Sequence, residues 1–275
     1  MSSTDDSSAP KYVLWPYTPT IAAGAIAASI MFILFFTHAF LLFKNKTWFC
    51  IPFVIGALCE AIGYSARAAA HNNTDAKTPY IIQSTLILLA PILFAASIYM
   101  ILGRLMRRTE STKYSLVRVG WVTKVFVGGD VLCFLIQAGG AALLISASTP
   151  SAFSRGENVI LSGLILQILI FGFFVVVAGV WHHRLTRQPT AAAAQLPWDR
   201  LIKVLYVSSV CITLRNVGRV VEYAMGKEGY LLKHEWPVYL YDCALMVGVL
   251  GAGVWWYGRG LEQRKDRKGD VEMRG

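Results

Sequence analysis

The side chains able to do chemistry in this 275-residue sequence lie inside long apolar runs: Glu60, Arg67, Lys124, Asp130, Arg215, Arg219, Glu222 and Asp242. An ionisable group in hydrocarbon costs ~2.5–3.5 kcal/mol on insertion scales, so it persists where it pairs, meets water or acts on a ligand. Four of these groups are acids and four are bases, the balance that a mutually paired network requires. Glu60, Tyr64 and Arg67 stand at i, i+4 and i+7, and so do Arg215, Arg219 and Glu222; each set therefore lines one helical stripe. Asp130 and Gln137 share a stripe by the same spacing, whereas Lys124 falls off it and is placed to snorkel toward the cytoplasmic surface. The chemistry implied is recognition of a polar group in apolar surroundings. Bond-breaking chemistry is not indicated, because the sequence has no Gly-x-Ser-x-Gly elbow, no His-Glu-x-x-His helix and no Gly-x-x-x-x-Gly-Lys-Ser/Thr loop. The histidines (His38, His71, His182, His183 and His234) are scattered over opposite faces and sides, which argues against a three-ligand zinc site. Neither catalytic residues nor a metal or cofactor is expected.

The elements that must carry these residues are membrane helices. The sequence is 55% hydrophobic and 15% charged, with a mean hydropathy of +0.51, too little charge for a soluble surface. Its apolar residues come in runs of about 20, enough to cross a ~30 Å hydrocarbon core. Runs bounded by charge, Pro and Asn predict spans over 20–43, 48–70, 80–103, 121–146, 159–181, 202–225 and 239–257. The last of these contains no Lys, which removes the attachment point of a retinal chromophore.

The net charge of +10 is divided among short segments between the runs, a topology signal rather than a nucleic-acid surface. Sixteen Lys and Arg, from Lys44 to Arg274, fall on one side; five, Lys11, Lys77, Arg155, Lys227 and Lys233, fall on the other. Cytoplasmic loops retain positive charge, which puts the N-terminus outside and the C-terminus in the cytoplasm. The expected fold is an all-α membrane protein, a seven-transmembrane-helix up-and-down bundle over 17–257, with an extracellular segment 1–16 and a charged, disordered cytoplasmic tail 258–275. Met1–Ala9 carries Asp5 and Asp6 but no Lys or Arg, so the first span is expected to serve as a retained insertion signal. Asn72-Asn73-Thr74 is a glycosylation sequon on the outer side. Cys50, Cys59, Cys133, Cys211 and Cys243 all fall inside spans, leaving the fold to helix packing. Small residues at 22–29, 128–129, 139–142 and 248–253 mark where backbones approach closely.

Counting residues from the outer end of each span gives depth. Arg67, Gln83, Glu222 and Asp242 lie roughly 5 Å below the outer surface, and Arg219, Gln137, Gln167, Arg215 and Glu60 roughly 9–15 Å. Asp130 is deeper. The expectation is a polar cavity in the outer half of the bundle, lined by these residues, beside a hinge or kink at Pro91, which breaks a backbone hydrogen bond in the third span. The competing reading is that the charges form buried ion pairs that only fix helix register.

With these stripes in hand, the sequence resembles the fungal RTA-like family, also called the lipid-translocating exporter family. The residues that carry the resemblance are Glu60-x-x-Gly63-Tyr64-x-x-Arg67; Gln83 with Leu89-Ala90-Pro91, Ala95-Ala96, Tyr99 and Leu102-Gly103-Arg104; Asp130 with Gln137-x-Gly139; Gly163 with Gln167; Arg215-x-x-x-Arg219-x-x-Glu222; and His234-Glu235-Trp236 leading to Tyr241-Asp242. The sequence departs from the family at Gly218, where an aromatic is usual, and in its short tail. The resemblance implies a plasma-membrane protein that exports or flips sphingoid bases or toxic amphiphiles, with membrane lipids or amphiphilic small molecules as partners and a link to drug tolerance. A cationic base would suit Glu60, Glu222 or Asp242 as acceptors. Two alternatives stay open: a seven-helix lipid sensor signalling through basic cytoplasmic loops, and porphyrin or haem movement, for which His71 and His234 are the outer-side ligand candidates.

Overall fold

The computed structural model describes residues 18–72, 77–147, 149–225 and 229–257. The segment 1–16, Asn73-Thr74 of the sequon and the tail 258–275 lie outside the described residues. Among the described residues, seven helices are long and apolar enough to cross a membrane. They are α1 (Ile21–Asn45), α2 (Ile51–Ala69), α3 (Lys77–Arg108), α4 (Val119–Ser146), α5 (Pro150–Arg187), α6 (Trp198–Ala224) and α7 (Trp236–Tyr257). Helix α7 is composite: a π-helical stretch, Tyr239–Ala244, and an α-helical one, Leu245–Gly253, are followed by a 3-10 turn, Val254–Tyr257.

Consecutive helices pack on one another around the bundle, α7 closes against α1 and α6, and α3 also touches α6 across the middle. The polarity is inverted relative to a water-soluble protein. Ile26, Ile33, Phe36, Phe40 and Phe43 of α1 are 62–66% exposed, while Glu60, Arg67, Asp130, Arg215 and Asp242 are at most 2% exposed. Only a hydrocarbon surround makes that arrangement favourable.

Two helices extend well past the expected spans. Helix α5 has 38 residues against the expected 159–181, about 57 Å at 1.5 Å per residue. Hydropathy reports the stretch in contact with lipid, whereas the helix begins where Pro150 follows Thr149, whose hydroxyl accepts from the Ala152 N–H at 3.3 Å. Helix α3 likewise continues to Arg108. Lys124 is exposed, with its ammonium 5.8 Å from the Trp121 ring near the start of α4, as snorkelling requires. The small-residue clusters divide: a Cβ on Gly140 would stand 3.0 Å from the Gly156 carbonyl oxygen, so α4 and α5 meet backbone to backbone there, whereas Gly128 and Gly139 face open space.

Candidate functional site

The charged stripes of α2 and α6 meet α7 in one buried cluster. Asp242 lies in the π-helical stretch of α7 and is completely buried. Arg215 Nε donates to its Oδ1 at 2.6 Å, and Arg219 Nη2 donates to its Oδ2 at 2.5 Å. Arg219 Nη1 also reaches Glu222 Oε2 at 3.0 Å, one turn further along α6. Two guanidiniums and two carboxylates thus neutralise one another, each bond being charge-assisted. Single-turn π stretches recur at functional sites because the extra residue re-aims a side chain.

Arg215 also has a partner on α3. Its Nη2 donates to the Ile87 carbonyl of α3 at 2.9 Å. In an unbroken helix that carbonyl would accept from the N–H four residues on, which is Pro91 and has none. The residue expected to act as a hinge sits within a helix that runs through it, and its missing donor leaves an acceptor for a buried arginine. Gly63 lets α2 come this close: a Cβ there would fall 2.7 Å from Ile87 Cγ1.

Glu60 is the exception in the cluster. It is fully buried, it lies in the field of Asp242, Arg215 and Arg219, and neither of its carboxylate oxygens accepts a hydrogen bond from any described residue. Tyr64, one turn away, is also fully buried. Gly218, the departure from the family's usual aromatic, makes room for the Tyr241 ring: a Cβ there would meet Tyr241 Cδ2 at 2.9 Å. The same ring lies 5.9 Å from the Arg219 guanidinium.

Nearer the end of the bundle where α1 begins, Glu235 gathers a second layer. It accepts from the Thr20 N–H at 3.0 Å and from the Thr20 hydroxyl at 2.7 Å, and Tyr239 donates to it at 2.9 Å. Arg67 Nε donates to the Tyr239 hydroxyl at 3.1 Å, and its Nη2 stands 3.4 Å from Glu235. Arg67 therefore belongs to this clasp, tying α2, α7 and the start of α1. At the same end His71 Nδ1 is 2.8 Å from the Pro19 carbonyl, and His234 Nδ1 is 3.0 Å from that of Tyr230.

The remaining expected site residues form separate groups. Asp130 accepts from the Tyr99 hydroxyl at 2.7 Å, so the equal count of acids and bases does not resolve into four ion pairs. Spacing cannot reveal that partner, because a phenol on another helix leaves no charge to balance. Gln137 Nε2 donates to Gln167 Oε1 at 2.9 Å, joining α4 to α5. Gln83 is half-buried on α3, one turn before Ile87. No hydrogen bond among the described residues links these three groups to the Asp242 cluster. The residues that spacing missed as site members are Glu235, Tyr239 and Tyr99; Glu235 was visible only as part of the His234-Glu235-Trp236 motif. A cavity of about 320 Å³ opens elsewhere, toward the end of α1 at Asn45, beside Arg200 and Trp255.

The sequence model of the family described as RTA1 like protein matches residues 53–260. Protoporphyrin uptake protein 1 of Saccharomyces cerevisiae is 37% identical over 205 residues, 73% of this chain and 65% of its own length. Probable lipid transporter atnI of Emericella nidulans is 28% identical over 81% of this chain and 61% of its own. Sphingoid long-chain base transporter RSB1 of S. cerevisiae is 22% identical over 78% of this chain and 65% of its own. The match thus spans less than two thirds of each relative. No solved structure matches the chain. These three relatives are named for transport or uptake. The match over most of the chain, together with the seven apolar helices, shows that this chain is a multi-pass membrane protein belonging to the RTA1-like family.

Proposed function

We propose that the protein moves amphiphilic lipids with a cationic headgroup across the membrane, taking the headgroup at the junction of α2, α6 and α7 with Glu60 as its acceptor. Glu60 carries this reading. Of the three acids suited to an ammonium group, Asp242 and Glu222 are already bonded to arginines, whereas Glu60 is buried without a hydrogen-bond donor among the described residues. A buried, unpaired carboxylate is costly, and an ammonium headgroup supplies both the counter-charge and N–H donors. The alkyl chain remains among apolar helices. The names of RSB1 and atnI support a lipid cargo, and a sphingoid base is an amine of this kind.

The bias of Lys and Arg supports an external N-terminus and an entrance to the site from the exterior, and the family resemblance supports the plasma membrane as the compartment. Glu60 lies nine residues before the end of α2, about 14 Å below the outer boundary. The test is transfer of a tail-labelled fluorescent long-chain base across liposomes containing the purified protein. Transfer that depends on Glu60 supports the reading; transfer no faster than in empty liposomes counts against it.

A second reading is favoured by the relative named for protoporphyrin uptake. Protoporphyrin is a dicarboxylate and would need free cations, yet Arg67, Arg215 and Arg219 each contact an acid. Competition by protoporphyrin in the same liposome assay separates the two.

A further inference from the structure

Charge does not balance at the junction of α2, α6 and α7. Arg215 and Arg219 satisfy Asp242 and Glu222, and Glu60 is a third acid with no base left for it among the described residues. The titratable or charged groups around it are Cys59 and Tyr64 on α2, Arg215 and Arg219 on α6, and Asp242 and Cys243 on α7. The only cations among them already hold carboxylates. With Glu60 ionised the junction carries a net charge of −1; with Glu60 protonated it is neutral. Low-dielectric surroundings favour neutrality, which either a proton or an incoming cation provides.

We propose that Glu60 exchanges one proton for one cationic headgroup, so that the amphiphile moves against a counter-flow of protons. This rests on the reading of Glu60 as headgroup acceptor. As R–NH3+ docks, the Glu60 carboxylic acid releases its proton to water and a carboxylate–ammonium pair remains. Departure of the headgroup lets a proton return. No covalent bond other than O–H is made or broken, and the junction is neutral before and after. A neutral amphiphile of equal chain length has no charge with which to displace the proton, and an anionic one would add to the negative charge. The exchange therefore selects for cationic amphiphiles.

The experiment is a calorimetric titration of the protein in nanodiscs with dodecylammonium, whose primary ammonium head keeps its N–H donors and, like that of lysine, stays protonated near neutral pH. Running it in two buffers of different ionisation enthalpy counts protons released. The expected result is about one proton released per amphiphile bound near neutral pH, with dodecanol releasing none. Saturable binding without proton release overturns the exchange but leaves the headgroup reading standing; absence of saturable binding overturns both. Folded Glu60→Gln is expected to release no proton. Release that persists in it assigns the proton elsewhere and overturns the proposal. The proton count in the unaltered protein decides the matter even where that variant fails to fold.

Discussion

Pro91 of α3 and Arg215 of α6 meet at one atom, the carbonyl oxygen of Ile87, which the proline cannot pair within its own helix and the arginine bonds at 2.9 Å. The lost backbone bond and the buried guanidinium thereby satisfy each other. This predicts thermodynamic coupling. Pro91→Ala supplies an N–H that competes for an occupied carbonyl, but in an Arg215→Met background it repairs an orphaned one. The substitution should be more favourable in that background by about 1 kcal/mol. A double-mutant cycle of chemical unfolding in micelles measures it, and additive effects would mean the carbonyl is not shared.

Asp242 and Glu60 are both buried acids on neighbouring helices, yet their removal should have opposite consequences. Asp242→Asn removes the negative charge that two guanidiniums share and turns one of its two accepting oxygens into an NH2 donor, and should cost about 3–5 kcal/mol, as loss of one partner from a buried ion pair does. Glu60→Gln removes an unpaired acid, so stability should change by less than about 1 kcal/mol or improve. Transfer of the long-chain base should nevertheless be lost. Thermal unfolding of the detergent-solubilised variants, run beside the liposome assay, distinguishes a structural acid from a functional one.

What could be read from the residues alone was whatever depends on one helix at a time. Apolar run length locates all seven spans, and i, i+4, i+7 spacing correctly puts Glu60 with Tyr64 and Arg215 with Arg219. Partnership between helices was not legible. Arg67 shares a stripe with Glu60 but bonds to Tyr239 and Glu235, because it sits at the end of α2 where the α7 entrance folds over it. Pro91 breaks a bond in any reading, but which side chain uses the freed carbonyl depends on α3 and α6 touching across the middle. The π-helical turn at Asp242 has no periodicity signature, since one extra residue per turn over Tyr239–Ala244 is too short a stretch to shift the hydrophobic pattern.

Glu235 compensates for a missing cap. Thr20 stands at the N-cap of α1, but its side chain accepts no capping bond from the first turn, and that turn has no acid. The Glu235 carboxylate takes both the Thr20 N–H and its hydroxyl while facing the positive end of the helix dipole. Glu235→Gln should therefore loosen α1 from α7 locally, at about 1–2 kcal/mol, without global unfolding. Hydrogen exchange read by mass spectrometry should accelerate around 20–24 and 235–239 while α4 and α5 stay unchanged. Uniform acceleration over all seven helices would contradict a local clasp.

Two glycines make matched tests of packing. A Cβ at Gly218 would lie 2.9 Å from the Tyr241 ring, whereas at Gly139 it would meet nothing within 4 Å. Gly218→Ala has to push Tyr241 away from Arg219, at a cost of about 1–3 kcal/mol for overpacking. Gly139→Ala places its methyl in open space and reduces unfolded-chain freedom, so it should be neutral or stabilising by up to about 1 kcal/mol. Because Tyr241 adjoins Asp242, Gly218→Ala should also slow transfer of the long-chain base, and trimming the ring with Tyr241→Ala in the same chain should recover part of the lost stability. If the two glycine variants unfold alike, the close approach of α6 and α7 at Gly218 is not what sets the position of Asp242.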